Sequence, residues 1–246
     1  SIQQHLVDIV DIHYSMSVKE FQSRARDAIQ EIQDSTRLPI LVGGSALYIQ
    51  AVLYDYEFQD TDSAIREKYQ KQAEEIGAEA MFEKLREIDP EAALHIGKGD
   101  LRRIIRALEV NEISGQNFKA QLSQMEPHIK HSKIGLRTSW QTLRLRVFER
   151  VENMMERGLL DEVIRLEAEG LFDTPTASKA IGYEDAWLCS EGKITESEAV
   201  EAITNKTMTF AKKQMKWFKR DTSIVWFDAE SKDLEDQVVQ YVSTLG

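Results

Sequence analysis

The sequence predicts an α/β protein, a parallel-sheet core interrupted by an all-helical insertion. Three observations carry that expectation. Residues 17–50 run helix, short apolar strand, Gly-Gly turn and helix, the order of an open α/β sheet. Two later apolar runs, at 132–137 and 223–227, again read as strands followed by helical periodicity. Between the first segment and these runs, residues 60–125 are charged, helical in period and without a convincing strand. The expected division is therefore a core built from 1–59 and 126–246, and an insertion over 60–125.

In chain order, His5 to Ile12 alternates imperfectly and reads as a short strand or its approach. Ser17 and Glu20 stand at capping-box spacing, and Val18, Phe21, Ala25, Ala28 and Ile32 follow at helical intervals. Pro39-Ile40-Leu41-Val42 has the continuous apolar character of a buried parallel strand. A helix resumes at Ala46. In the insertion, residues 62–85 read as one helix broken near Gly77, Asp89-Pro90-Glu91 can start another, and Gly97-Lys98-Gly99 is a turn. Leu101, Ile104, Ile105 and Leu108 form a stripe at i, i+3, i+4 and i+7, which predicts a helix over 100–113. Beyond the strand at 132–137, helices are expected at 140–158 and 159–169, with Gly170 a terminator. Thr195 and Glu198 form a second capping box and open a long helix to about residue 219. The strand at 223–227 and a helix over 234–245 complete the chain.

Composition narrows the classes. The 246 residues carry 31 Lys or Arg against 42 Asp or Glu, a formal charge of −11, so a general nucleic-acid coat is disfavoured while a local basic patch is not. No apolar run approaches the roughly 20 residues of a membrane span. Cys189 is the single cysteine, which excludes an internal disulfide framework and a multi-Cys metal site. The chain opens on Ser1 with neither a basic n-region nor an apolar h-region, so it is expected to be cytoplasmic and truncated at its N-terminus.

Two features could carry chemistry. At Gly43-Gly44-Ser45 a predicted strand ends in bare backbone, and the next helix offers free N–H groups and the Ser45 hydroxyl; the plainer alternative is a tight turn with Ser45 as N-cap. The second feature is the helix around 205–220. Between Glu201 and Asp221 it has no acid, yet it holds Lys206, Lys212, Lys213, Lys216, Lys219 and Arg220 around a stripe of Met208, Ala211, Met215 and Phe218. Such a helix on an acidic protein suits phosphates, unless acidic neighbours elsewhere answer it. Arg102, Arg103 and Arg106 decorate the polar side of the insertion helix. Arg102 and Arg106 can grip a backbone together, or Glu109 can pair with either. No P-loop is present: Gly-Lys occurs only at 97–98 and 192–193, where the upstream glycine position holds Ala92 and Trp187. The five histidines show no ligand spacing, and no Ser/His/Asp or Cys/His set can be argued.

Taken in order, these segments resemble the tRNA dimethylallyltransferase family. Residues 38–50 (LPILVGGSALYIQ) resemble its LPILVGGTGLYIQ segment, and 103–110 (RIIRALEV) its RIxRALEV helix with Ser114-Gly115 after it. Gly158–Val163, Ala180–Tyr183 and residues 207–218 (TMTFAKKQMKWF) are similar to its GLxxEV, AIGY and TRxYAKRQxTWF motifs. The resemblance implies a P-loop NTPase-like core lacking its first βαβ unit, and with it the diphosphate-holding P-loop and the general-base Asp, so that the chain alone is expected to be inactive. It also implies the activity: transfer of a dimethylallyl group from dimethylallyl diphosphate to the N6 amine of the adenosine beside the anticodon, with Mg²⁺. Carried over by position, it puts Ser45 near the target nucleotide and Arg66, Arg102, Arg103 and Arg106 against tRNA. Thr207, Lys212, Lys213 and Gln214 fall near tRNA and diphosphate. No residue of this chain is assigned to catalysis or to a metal. The implied partners are the tRNA anticodon stem–loop and dimethylallyl diphosphate, with the protein a monomer. The chain departs from the pattern at Glu184, where the family carries Arg or Lys after Gly-Tyr, and at Met208, Lys216, Ala46 and Gly97-Lys98-Gly99. Two alternatives stay open: a tRNA-binding relative without transferase activity, and an adenylate isopentenyltransferase acting on a free nucleotide.

Overall fold

A computed structural model describes residues 2–56, 58–115, 118 and 126–245. The chain divides into two compact units, one formed by residues 1–54 with 127–246 and the other by 55–126.

In the first unit, α1 (Val18–Asp34) starts where Ser17 accepts the Glu20 N–H at 3.1 Å. α2 (Ala46–Leu53) packs beside it, and α1 side chains close the end of α2. Gln22 donates to the Ala51 carbonyl at 2.6 Å, and Arg26 to those of Ala51, Val52 and Tyr54 at 3.2, 3.1 and 2.7 Å. These bonds satisfy carbonyls that a helix C-terminus leaves open, and cationic Arg26 suits its negative end.

The sheet has two parallel strands, β1 (Lys133–Arg137) and β2 (Ile224–Asp228), in the register Lys133↔Ile224 to Arg137↔Asp228. Gly135 faces Trp226, and a Cβ there would lie 2.5 Å from the indole ring, so the strand needs glycine at that position. Parallel pairing demands a long crossover. It is supplied by α6 (Trp140–Glu156), α7 (Leu159–Ala168), α8 (Tyr183–Ser190) and α9 (Glu196–Phe218), while α10 (Leu234–Ser243) follows β2. Val151, Met155, Leu159, Val163, Ala186 and Ile203 form the core beneath the crossover helices.

The strands expected at 5–12 and 39–42 do not form. Leu6 and Asp8 adopt φ of 59° and 53°, which a pleated strand does not accommodate. Leu38, Ile40 and Val42 are 71, 74 and 86 % exposed, and β1 and β2 pair only with each other among the described residues. A strand exists only where a neighbour takes its N–H and C=O groups, and residues 39–42 have none here. Conversely, α8 forms where the sequence pattern marks no helix. It is a short helix that starts directly after Gly182, whose φ of 107° only glycine adopts readily.

The second unit holds α3 (Ser63–Ile88), α4 (Pro90–His95) and α5 (Leu101–Ser114). α3 bends at Gly77, where φ is 81° and ψ 165°. Met81, Leu85, Ile104 and Leu108 are 1 % exposed or less and lock α3 onto α5. Buried Asp89 is fully used, capping α4 through the Ala92 N–H at 2.9 Å and accepting the Phe118 N–H at 2.6 Å.

Candidate nucleic-acid interface

α9 carries the strongest electrostatic feature. Its N-terminus closes in a capping box, with Thr195 and Glu198 satisfying one another's backbone N–H groups. Ile203 and Met208 point into the core, at 2 and 7 % exposure, which turns the lysines outward. Lys212, Lys213, Lys216, Lys219 and Arg220 are all exposed, and no ion pair answers any of them among the described residues. The sixth cation behaves differently. Lys206 donates to Glu184 at 3.2 Å and to buried Asp185 at 2.9 Å. The hydrogen bond to Asp185 leads in raising its pKa, against the opposing effect of burial. Acidic neighbours therefore answer Lys206 and, among the described residues, leave Lys212, Lys213 and Lys216 of α9 and Lys219 and Arg220 just beyond its end without an ion pair.

The Gly-Gly turn lies against this helix. A Cβ on Gly44 would sit 2.0 Å from the Gln214 side-chain nitrogen, so glycine is what lets the Gln214 amide lie on the turn. Ser45 occupies the N-cap position of α2, yet its side chain makes no capping hydrogen bond. Ser45 thus caps α2 by position and through its backbone carbonyl, while its exposed hydroxyl takes no part in the cap. Thr207 is placed differently, its hydroxyl donating to the Ile203 carbonyl at 2.8 Å within α9. Ser45, Thr207, Lys212, Lys213 and Gln214 accordingly belong to one unit, with Gln214 joining the turn to the helix.

Arg66, Arg102, Arg103 and Arg106 belong to the other unit and separate into two pairs. Glu109 is fully buried and accepts from both Arg66 and Arg106 at 3.0 Å, and from the Asp62 N–H at 2.9 Å. Arg106 also donates to the Gln59 and Asp60 carbonyls at 2.7 and 2.9 Å. The sequence left Glu109 a choice between Arg102 and Arg106; the fold gives it Arg106 and adds Arg66 from 43 residues upstream. Among the described residues Arg102 is exposed with no ion pair, and Arg103 pairs with Asp100 alone, at 3.5 Å.

Other polar groupings escaped the sequence reading. Lys133 donates to Asp221 at 2.6 Å, to the Tyr54 hydroxyl at 2.5 Å and to Ser223 at 3.1 Å. Burial pushes the Asp221 carboxyl up, but the hydrogen bonds from Lys133 and Ser223 outweigh it and hold the group below its ordinary range. For Lys133, burial pulls downward and the bonds to Asp221 and Tyr54 outweigh it upward. A cavity of about 490 Å³ lies beside this network, lined by Lys130, His131 and Tyr241 among others. Among the described residues no three His, Cys, Asp or Glu side chains converge to hold a metal ion. No helix among them is long and apolar enough to cross a membrane.

Comparison with known proteins places this arrangement. The family model described as IPP transferase matches residues 1–221. A tRNA dimethylallyltransferase of a Nocardioides species is 40 % identical over 243 residues, covering 98 % of this chain and 78 % of that protein. The crystal structure of a full-length tRNA isopentenylpyrophosphate transferase from Bacillus halodurans is 32 % identical, with a TM-score of 0.66 over 98 % of this chain and 76 % of that one. A eukaryotic dimethylallyltransferase crystallised in the act of modifying tRNA superposes with a TM-score of 0.76 at 23 % identity, over 98 % of this chain and 64 % of that one, a likeness of fold. The family match runs through the Gly-Gly turn, the arginine-bearing helix α5 and the basic helix α9 alike, and the chain belongs to the IPP transferase family.

Proposed function

We propose that this protein acts in tRNA modification: it grips the anticodon stem–loop of a tRNA whose adenosine beside the anticodon receives a dimethylallyl group on N6 from dimethylallyl diphosphate. The observation that carries the reading is the basic end of α9, where Lys212, Lys213 and Lys216 of the helix and Lys219 and Arg220 just beyond it are exposed without an acidic partner among the described residues, set against the Ser45 turn through Gln214. Phosphates are the partner such a face fits. The related transferases from Nocardioides and Bacillus halodurans support the substrate class.

The chemistry divides between groups. An adenine inside a stacked loop is out of reach, so the target base has to leave its stack. The Ser45 hydroxyl and the Gln214 amide can hydrogen-bond its edge, while Lys212 and Lys213 hold neighbouring phosphates. Arg102 and Arg103 offer a second set of phosphate contacts on the helical unit, whereas Arg66 and Arg106 hold that unit together through Glu109. As the C–N bond forms, the diphosphate leaves with growing charge and the amine loses a proton, which calls for cationic stabilisation and a base. These 246 residues contain no P-loop motif, and no carboxylate among them is assigned as the base. We therefore propose that the chain by itself binds tRNA without transferring the group, and that it works as a monomer in the cytoplasm.

The departures at 184 and 208 fit this reading. Glu184 does not face the site as an uncompensated negative charge, because Lys206 holds it. Met208 is buried in the core stripe. The test is retention of unmodified tRNA together with radiolabelled dimethylallyl diphosphate. The chain is expected to bind tRNA, with a preference for a stem–loop bearing the target adenosine over one with guanosine there, and to leave label unincorporated. No tRNA binding overturns the proposal. Labelled tRNA overturns the claim that the chain alone is inactive, and labelled AMP favours the free-nucleotide alternative.

A further inference from the structure

Phe210 is 44 % exposed in the middle of the basic helix. Elsewhere on α9 the aromatic residues are covered: Trp217 and Phe218 are half-buried and pack edge to face at 5.2 Å. Phe210 makes no ring contact among the described residues. A lone exposed phenyl is ordinary on a protein surface; its neighbours are what distinguish this one. On a helix, residues three and four apart stand side by side. Thr207 and Lys213 lie three positions either side of Phe210, and Lys206 and Gln214 four. The ring therefore stands between a lysine with no acidic partner among the described residues and the amide that lies on Gly44 beside Ser45.

On its own helix the exposed ring is flanked by lysine, threonine and glutamine and not by further exposed apolar side chains. A flat ring among cations is instead the composition of single-stranded nucleic-acid sites, where bases stack on aromatic side chains and lysines take the phosphates. We propose that Phe210 is a stacking platform for an unpaired nucleobase of the bound RNA loop, the base next to the Gln214 and Ser45 groups. The inference rests on the RNA-gripping reading of α9 and adds the residue that receives the base.

The experiment measures affinity for an unmodified anticodon stem–loop RNA across a salt series, using the full chain and its Phe210→Ala, Phe210→Leu and Phe210→Trp variants. Lys212→Ala/Lys213→Ala serves as the charge control, and circular dichroism confirms that each variant is folded. Stacking predicts that Phe210→Ala and Phe210→Leu both weaken binding roughly tenfold, that Phe210→Trp restores it, and that all three keep the wild-type salt slope, because a neutral ring releases no counterions. The control lowers that slope instead. If Phe210→Leu binds like wild type, the ring acts only as apolar bulk and the stacking proposal is overturned. If all Phe210 variants bind like wild type while the control loses slope, the platform is likewise overturned but the phosphate role of α9 stands. If wild type itself does not bind the RNA, the underlying reading falls and the platform with it.

Discussion

Replacing Glu109 with alanine should destabilise the helical unit far more than it affects any surface. The Glu109 carboxylate is fully buried and accepts from two guanidinium groups and a backbone N–H. Removing one side of a buried ion pair costs about 3–5 kcal/mol when the partner stays buried and uncompensated. Here the partners are not sealed: the Arg66 and Arg106 side chains are 43 and 25 % exposed, so water recovers part of the loss. The expected cost is therefore about 2–4 kcal/mol. For a unit of this size it should lower the melting temperature by roughly 10 °C or more. Thermal unfolding followed by circular dichroism measures it, with Arg102→Ala as the comparison. Arg102 has no ion pair among the described residues, so its loss should leave the melting temperature within about 2 °C of wild type. Equal melting temperatures for Glu109→Ala and wild type would refute the division of the arginines into two structural and two outward-facing groups. So would a large drop for Arg102→Ala.

Two other perturbations follow from the geometry. Gly44→Ala places a Cβ where the Gln214 amide now lies, so Gln214 must swing away, which its flexible end allows; RNA affinity should fall severalfold in a titration with little change in stability. The Lys133–Asp221 pair sets a pH window. The Asp221 pKa is depressed, so its contribution is present above the unfolded carboxyl value of about 3.9 and disappears as pH falls through the folded value. The Lys133 pKa is raised, so its contribution is present below about 10.4 and is lost as pH rises through the folded value. Asp221→Asn should therefore be less stable than wild type at pH 7, with the gap closing below about pH 4. A gap that persists unchanged at pH 2.5 would contradict the ion-pair assignment.

The sequence revealed whatever is encoded locally. Ser17 and Thr195 announced helices that begin within one residue of them, because a cap and the amphipathic stripe after it are short-range signals. The 132–137 and 223–227 runs became β1 and β2, shifted by one residue at most. The run at 39–42 had the same apolar character and formed no strand, since a strand depends on a neighbour that its own residues do not specify. The site was legible in the same uneven way. The lysines of α9 and the Gly-Gly turn could be read as two separate features, but their meeting at Gly44 and Gln214 spans 170 residues and belongs to the fold. The Arg66–Glu109 and Lys206–Asp185 pairs are likewise tertiary contacts. They decide which cations are committed to the structure and which remain for a ligand, a distinction that charge counting along the chain does not make.

The central claim, that the exposed face of α9 takes RNA phosphates, is tested most directly by the salt dependence of tRNA binding in the Lys212→Ala/Lys213→Ala variant. Each lost phosphate contact should reduce the slope of log affinity against log salt by roughly 0.7 on single-stranded RNA to 0.9 on duplex. Two contacts lower it by roughly 1.4–1.8, so between 50 and 200 mM salt the wild type should lose about 7- to 12-fold more affinity than the variant. The account predicts that flattened slope with an unchanged melting temperature. A variant that keeps the wild-type slope would show that the lysines of α9 do not meet the RNA.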